Sequence, residues 1–191
     1  MPDTKQDEKI YLTYKTRMTT EARLRKTALL YHILLSWYSL CLIALSVMDI
    51  SRKFEIENSN LISACVSVAI FGLSLFIYGE RYNQRADEFK SCYLKLKELY
   101  EGSNNVPHKM RRYAEILQHY DNQSDGDYDE MLFDAYFRDQ NLRNADGPVQ
   151  ITKIVLCRVL FWRVVRKAAM AILFAAPVVA GALWVRPIGT E

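Results

Sequence analysis

No two cysteines in this sequence stand at metal-ligand spacing. The four, Cys41, Cys65, Cys92 and Cys157, lie far apart and two of them fall inside apolar runs. That argues against a disulfide framework and for reduced thiols. The three histidines, His32, His108 and His119, are just as scattered, so the histidine pair of a zinc site is missing. Also missing are a Gly-rich phosphate loop, a GxSxG elbow and an HExxH helix. Each of those motifs supplies a fixed chemical part: backbone amides for phosphate, a nucleophile on a sharp turn, two ligands one helical turn apart. Their joint absence gives no catalytic residue, cofactor or metal to expect, and it favours physical over chemical work. An enzyme whose site is assembled across the middle helices stays open as a weaker alternative.

Charge is missing too, from three long stretches. The net charge of +3 over 191 residues, half of them hydrophobic, fits one modest unit but conceals strong segregation. Ala28 to Met48 holds His32 as its one basic or acidic residue, and Leu61 to Tyr78 holds none. Ala168 to Val185 is also uncharged, though alanine-rich and interrupted by Pro177 and Gly181. Each has about the 17 to 25 residues needed to cross a bilayer. The first is not expected to be a cleaved signal, because a charged stretch of 27 residues precedes it and no small-residue cleavage pattern follows.

Lysine and arginine set the expected orientation. Residues 1–27 hold seven, the loop from Asp49 to Asn60 only Arg52 and Lys53, Gly79 to Lys167 fifteen, and the tail after Val185 only Arg186. By the positive-inside rule the N-terminus and the middle region lie in the cytoplasm and the protein is multi-pass. The expected fold is an all-α membrane protein: a two-span helical hairpin with a long cytoplasmic helical extension, plus a third C-terminal span. Its expected parts are a cytoplasmic N-terminal helix (1–27), the hairpin (28–78), a cytoplasmic helical region (79–150), and a basic interfacial segment with the third span (151–191).

After the second span, Tyr82, Ala86, Phe89, Tyr93, Leu96 and Tyr100 repeat at spacings of four and three, a heptad seam. It is a candidate assembly surface, or else packs on a neighbouring helix of the same chain. Read through from Leu61, the second span and the seam form one helix of about 40 residues. Farther on, "DNQSDGDYDE" sits between two helical stretches and places Asp121, Asp125, Gly126, Asp127 and Asp129 at loop positions one, five, six, seven and nine of an EF-hand. Position three is Gln123 and position twelve Leu132, so the closing bidentate glutamate is absent and a solvated turn is the better reading.

The segment Lys153 to Lys167 carries Lys153, Arg158, Arg163, Arg166 and Lys167 with Phe161 and Trp162 among them. Such a segment suits anionic headgroups or nucleic-acid phosphates, or it simply fixes topology. Within the spans, His32, Ser36, Ser39 and Ser46 fall on one helical face, as do Ser63, Ser67 and Ser74. Serines back-bond to their own helix and let spans pack closely; a wetted, pore-lining stripe and an interfacial role for His32 are the alternatives.

"RYNQRADEFKSCYLKLKEL" and "YAEILQHYDNQSDGDY" resemble the two signature stretches of the SLATT family, the SMODS and SLOG-associating two-transmembrane effectors of bacterial conflict systems. The matching positions are Arg85, Ala86, Cys92, Tyr93, Leu96 and Leu99, then Tyr113, Ile116, Leu117, Asn122 and Asp127. The third hydrophobic segment is similar to the branch found beside reverse transcriptases. The resemblance implies a homo-oligomeric effector that permeabilises or depolarises the membrane and causes abortive infection. Its trigger would be a genetically linked reverse transcriptase or nucleotide-signal synthase, through a nucleotide or nucleic-acid signal. A different class, a membrane-anchored adaptor holding a cytoplasmic polymerase or nuclease, fits the same spans.

Overall fold

The computed structural model describes residues 3–50, 54–55, 59–102, 106–138, 143–144, 147–148, 152–184 and 186–187. Arg52 and Lys53 of the first loop, and Ser103 to Asn105 after the seam, lie outside the described residues. The protein is all-α: α1 (Asp3–Ile50), α2 (Ser59–Gly79), α3 (Tyr82–Glu101), α4 (Val106–Gln118), α5 (Asp125–Phe137) and α6 (Lys153–Trp184). Two antiparallel pairings of two residues each accompany them, Phe54–Glu55 with Arg186–Pro187 and Arg143–Asn144 with Gly147–Pro148. Three of the helices contain stretches long and apolar enough to cross a membrane.

The chain groups into two units, residues 1–26 with 82–163 and residues 27–81 with 164–191. No glycine or proline interrupts Asp3–Ile50, so nothing in the backbone breaks α1. The expected continuity of α2 and α3 is not found. Glu80 and Arg81 form a turn, and Arg81 takes a left-handed backbone with φ 51°. The second span and the seam are therefore two helices, and the helices that run unbroken out of a span are α1 and α6.

In the first unit the core is built on α1, α3, α4 and α5. Ile10 packs with Cys92, Leu96 and Leu99 of α3 and Tyr113 of α4, edged by Met110, Ile116 and Leu117. Leu12, on another side of α1, packs with Met131, Leu132 and Ala135 of α5. Leu24 closes a third cluster with Ala86 and Phe89. Full burial of such a side chain contributes about 1.5–3 kcal/mol each, and this lets a bundle with few turns hold together. The rings of Tyr11, Tyr14 and Tyr100 meet with centroids 5.2–6.0 Å apart.

In the second unit α6 lies against α1. The indole of Trp37 donates to the Phe174 carbonyl at 2.9 Å and the Tyr38 hydroxyl donates to the Leu173 carbonyl at 2.9 Å. A Cβ placed on Gly181 would meet Leu45 at 3.5 Å, ordinary contact distance between two close helices.

Candidate functional site

The first unit is tied together by arginines on α1. Arg17 is fully buried, donates from Nη1 to Cys92 Sγ at 3.1 Å and lies 5.7 Å from the Phe89 ring centroid. Its Nε has no hydrogen-bond partner among the described residues. Burial pushes the Cys92 thiol above its usual range, opposed by the neighbouring guanidinium. Two helical turns on, Arg23 holds Asp127 of α5 in a fork, Nε to Oδ1 at 2.5 Å and Nη2 to Oδ2 at 3.1 Å. Asp127 is 1% exposed, and its carboxylate also accepts from the Ser124 amide and hydroxyl. Ser124 in turn accepts from the Asp127 amide, a capping box that starts α5. Arg25 bridges Glu21 and Asp87.

The acidic turn thus has its own account. Asp125 and Asp127 occupy the first turn of α5, where carboxylates favour the helix dipole. Asp129 and Asp134 reach α6 instead, pairing with Arg158 and Arg163, each pair 29 residues apart in sequence. The equal offset means α5 and α6 run parallel in constant register across this contact. Arg163 also lies 3.5 Å from Glu130 and 4.4 Å from the Phe133 ring centroid. Two of the five basic residues expected to meet headgroups or phosphates are therefore engaged by α5. Lys153, Arg166 and Lys167 are exposed side chains, and Arg166 has an interaction of its own.

The heptad seam of α3 is turned into its own unit. Ala86, Phe89 and Leu96 are buried there, Tyr82 and Tyr93 are half-buried and Tyr100 is exposed. The buried line passes through Cys92 and Leu99 rather than Tyr93 and Tyr100, and both buried residues pack in the cluster that holds Ile10 of α1 and Tyr113 of α4.

In the second unit Ser39, Ser46, Ser67 and Ser74 each donate to the carbonyl four residues back, at 2.7–2.9 Å. Ser63 supplies the carbonyl that Ser67 uses. His32, Ser36 and Ser67 are exposed and the other serines of the stripes half-buried. The hydroxyls are satisfied locally and remain able to accept.

An open cleft of about 480 Å³ between α3 and α4 is lined by Lys95, Arg112, His119, Tyr120, Glu98 and Glu115 among others. Two carboxylates and two permanent cations line it together, so it has no strong preference for an anion. Among the described residues no group of three or more histidine, cysteine, aspartate or glutamate side chains is placed to hold a metal.

Over residues 2–183 the chain matches the family described as SMODS and SLOG-associating 2TM effector domain family 5. The chain belongs to the SLATT family. Nothing among the curated proteins or the solved structures matches it. Of the positions that carry the sequence resemblance, Ala86, Cys92, Leu96, Leu99, Tyr113 and Asp127 are buried, and Ile116 and Leu117 pack against the cluster of Cys92, Leu96, Leu99 and Tyr113. Arg85 and Asn122 are exposed. Sequence reading missed Arg17, Arg23, Trp37 and Tyr38. Only Pro177 carried a signal, since a proline inside a span announces an orphaned carbonyl without naming its donor.

Proposed function

We propose that this SLATT protein is the membrane effector of a bacterial anti-phage system, one that assembles into oligomers and permeabilises or depolarises the inner membrane. The observation that carries the reading is the family match over nearly the whole chain, joined to three helices able to cross a membrane. The grouping of residues 1–26 with 82–163 and the pairing of Phe54–Glu55 with Arg186–Pro187 support three spans with alternate sides shared. In this reading residues 28–78 are the membrane hairpin, 1–27 and 79–150 are cytoplasmic, and 151–191 carry the basic segment and third span. Lysine and arginine counts support the N-terminus inside.

The arginine latch is the part that receives the trigger. Arg17 and Arg23 sit on the same uninterrupted helix as His32 and the first serine stripe. A partner enzyme, a linked reverse transcriptase or nucleotide-signal synthase, supplies a nucleotide or nucleic-acid signal that loosens α1 from α3 and α5. The serine stripes then exchange local bonds for water. The chain itself performs no catalysis in this mechanism.

The test is expression in bacteria with a potential-sensitive dye, alongside the neighbouring defence genes and phage. Depolarisation and growth arrest are expected. Neither, with the chain present in the membrane, would sink the proposal, and a stoichiometric polymerase or nuclease partner recovered without depolarisation would establish the adaptor instead.

A further inference from the structure

The side chains of α5 change character along its axis. At its start Ser124, Asp125 and Gly126 are exposed. Through its middle the apolar residues Met131, Leu132, Phe133 and Ala135 are buried. Its last turn leaves two aromatic rings bare, Tyr136 being 55% and Phe137 69% exposed. The two rings meet edge to face with centroids 5.5 Å apart, and the Phe137 centroid lies 4.7 Å from that of Phe133. Arg138 follows as the C-cap, with its side chain exposed.

Direction and level decide what this end of α5 meets. The pairs Asp129–Arg158 and Asp134–Arg163 share one sequence offset, so α5 points the same way as α6. Its polar end is the upstream one and its aromatic end the downstream one. α6 is one helix from Lys153 to Trp184, and its uncharged stretch begins downstream, at Ala168. Phe137 stands about 4.5 Å along α5 past Asp134, and Ala168 about 7.5 Å along α6 past Arg163, at 1.5 Å per residue. The difference of about 3 Å is smaller than the headgroup layer, which is about 5–7 Å thick on each side of the hydrocarbon core.

We infer that the C-terminal end of α5 is a lipid-contact site, with Tyr136 and Phe137 resting in the headgroup layer of the leaflet that α6 enters and Arg138 beside lipid phosphate. The inference rests on reading the uncharged stretch of α6 as a span, and it adds a contact outside that span. Amphipathic aromatic side chains gather at this layer, and the hydroxyl of Tyr136 supplies the polar end that such a ring needs. A cation beside them suits the negative surface of an anionic leaflet. A protein partner fits less well, since two such rings bury at most about 500 Å², against roughly 800 Å² per partner in a stable interface. The first unit is thereby attached to the leaflet at α5 as well as through α6.

Fluorescent labelling of the full chain tests this. Cys41, Cys65 and Cys157 are replaced by serine, the buried Cys92 is kept, and one new cysteine is added by Phe137→Cys or, at the polar end of the same helix, Asp125→Cys. Each chain is labelled with a nitrobenzoxadiazole dye, placed in vesicles of phosphatidylcholine and phosphatidylglycerol, and recovered by flotation. Iodide in the water is expected to quench the dye at 137 several-fold less than at 125, and a lipid spin-labelled on its headgroup to quench it several-fold more. Both sites are on one helix, so mixed orientation in the vesicles affects them alike. Tyr136→Cys repeats the measurement without removing Phe137. Floated chains in which 136 and 137 are as open to iodide as 125 overturn the inference. So does shielding from iodide without quenching by the spin-labelled lipid, which would mean that protein covers the rings. No leakage is measured, so its failure is separate from failure of the depolarisation test.

Discussion

The hydroxyl of Tyr38 donates to the carbonyl of Leu173, the acceptor that the amide of residue 177 would use if that residue were not proline. Inside a bilayer no water replaces the lost donor, so α1 supplies what α6 lacks. Tyr38→Phe is expected to weaken the second unit by about 1–2 kcal/mol, the upper range for hydrogen bonds between spans. In a Pro177→Ala background the same change should cost far less, since the helix regains its own bond. Unfolding of the four variants in detergent micelles measures the coupling; equal costs in both backgrounds would disprove it.

Arg17 is a buried cation whose hydrogen bond goes to a thiol. Among the described residues it forms no ion pair, and an uncompensated buried charge costs several kcal/mol. Arg17→Met keeps the stem and removes the charge. It is expected to stabilise the first unit by about 1–4 kcal/mol while reducing triggered depolarisation, because a latch without strain has less reason to open. A destabilised unit with normal depolarisation contradicts both parts.

Asp127 is the opposite case, a buried charge that is fully partnered. Asp127→Asn leaves the part-exposed Arg23 without its counter-ion and weakens the start of α5, with an expected loss of about 2–3 kcal/mol. Ser124→Ala removes the cap alone, for about 1 kcal/mol. Denaturant midpoints of the two variants should therefore differ clearly.

The serines separate packing from wetting. Ser39 and Ser67 each bond their own helix, so replacing both with leucine removes no bond between helices. Expression and membrane insertion should be unchanged, and depolarisation should disappear if the stripes line the leak. Toxicity that persists at normal expression argues for packing.

Stability should decline at alkaline pH. Burial raises the Cys92 thiol above its ordinary 9.0, and desolvation raises Tyr14 and Tyr128 above 10.0. Each group stays protonated in the folded chain after it would ionise in the unfolded one. Their contribution is therefore complete below about pH 9 and is lost above it, as the unfolded state releases protons first. Hydrogen exchange of α3 amides between pH 7 and 10, corrected for intrinsic rates, follows the decline, and Cys92→Ala should remove its earliest part.

The spans were legible because membrane solvation demands long uncharged runs, and Leu61 to Tyr78 has no other explanation. The α3 stripe was legible as periodicity, though its register slipped by one residue at Cys92 and Leu99. The break at Arg81 was not, since an arginine carries no sign that it will adopt a left-handed backbone next to Gly79, which does not adopt one. The acidic turn looked like half a calcium loop because aspartates that cap a helix and pair with arginines leave the same composition. Their partners, Arg23 and Arg158, stand 104 and 29 residues from the carboxylates they bind, and no local pattern links them.

The orphaned carbonyl at Leu173 also bears on how the protein is made. α6 leaves the ribosome after α1, and it arrives with an apolar stretch that contains a proline. It becomes a comfortable span only beside an α1 that has already been inserted. Biogenesis therefore has a built-in order, and a chain that lost α1 would present its third span to the insertion and quality-control machinery with a polar group that nothing covers.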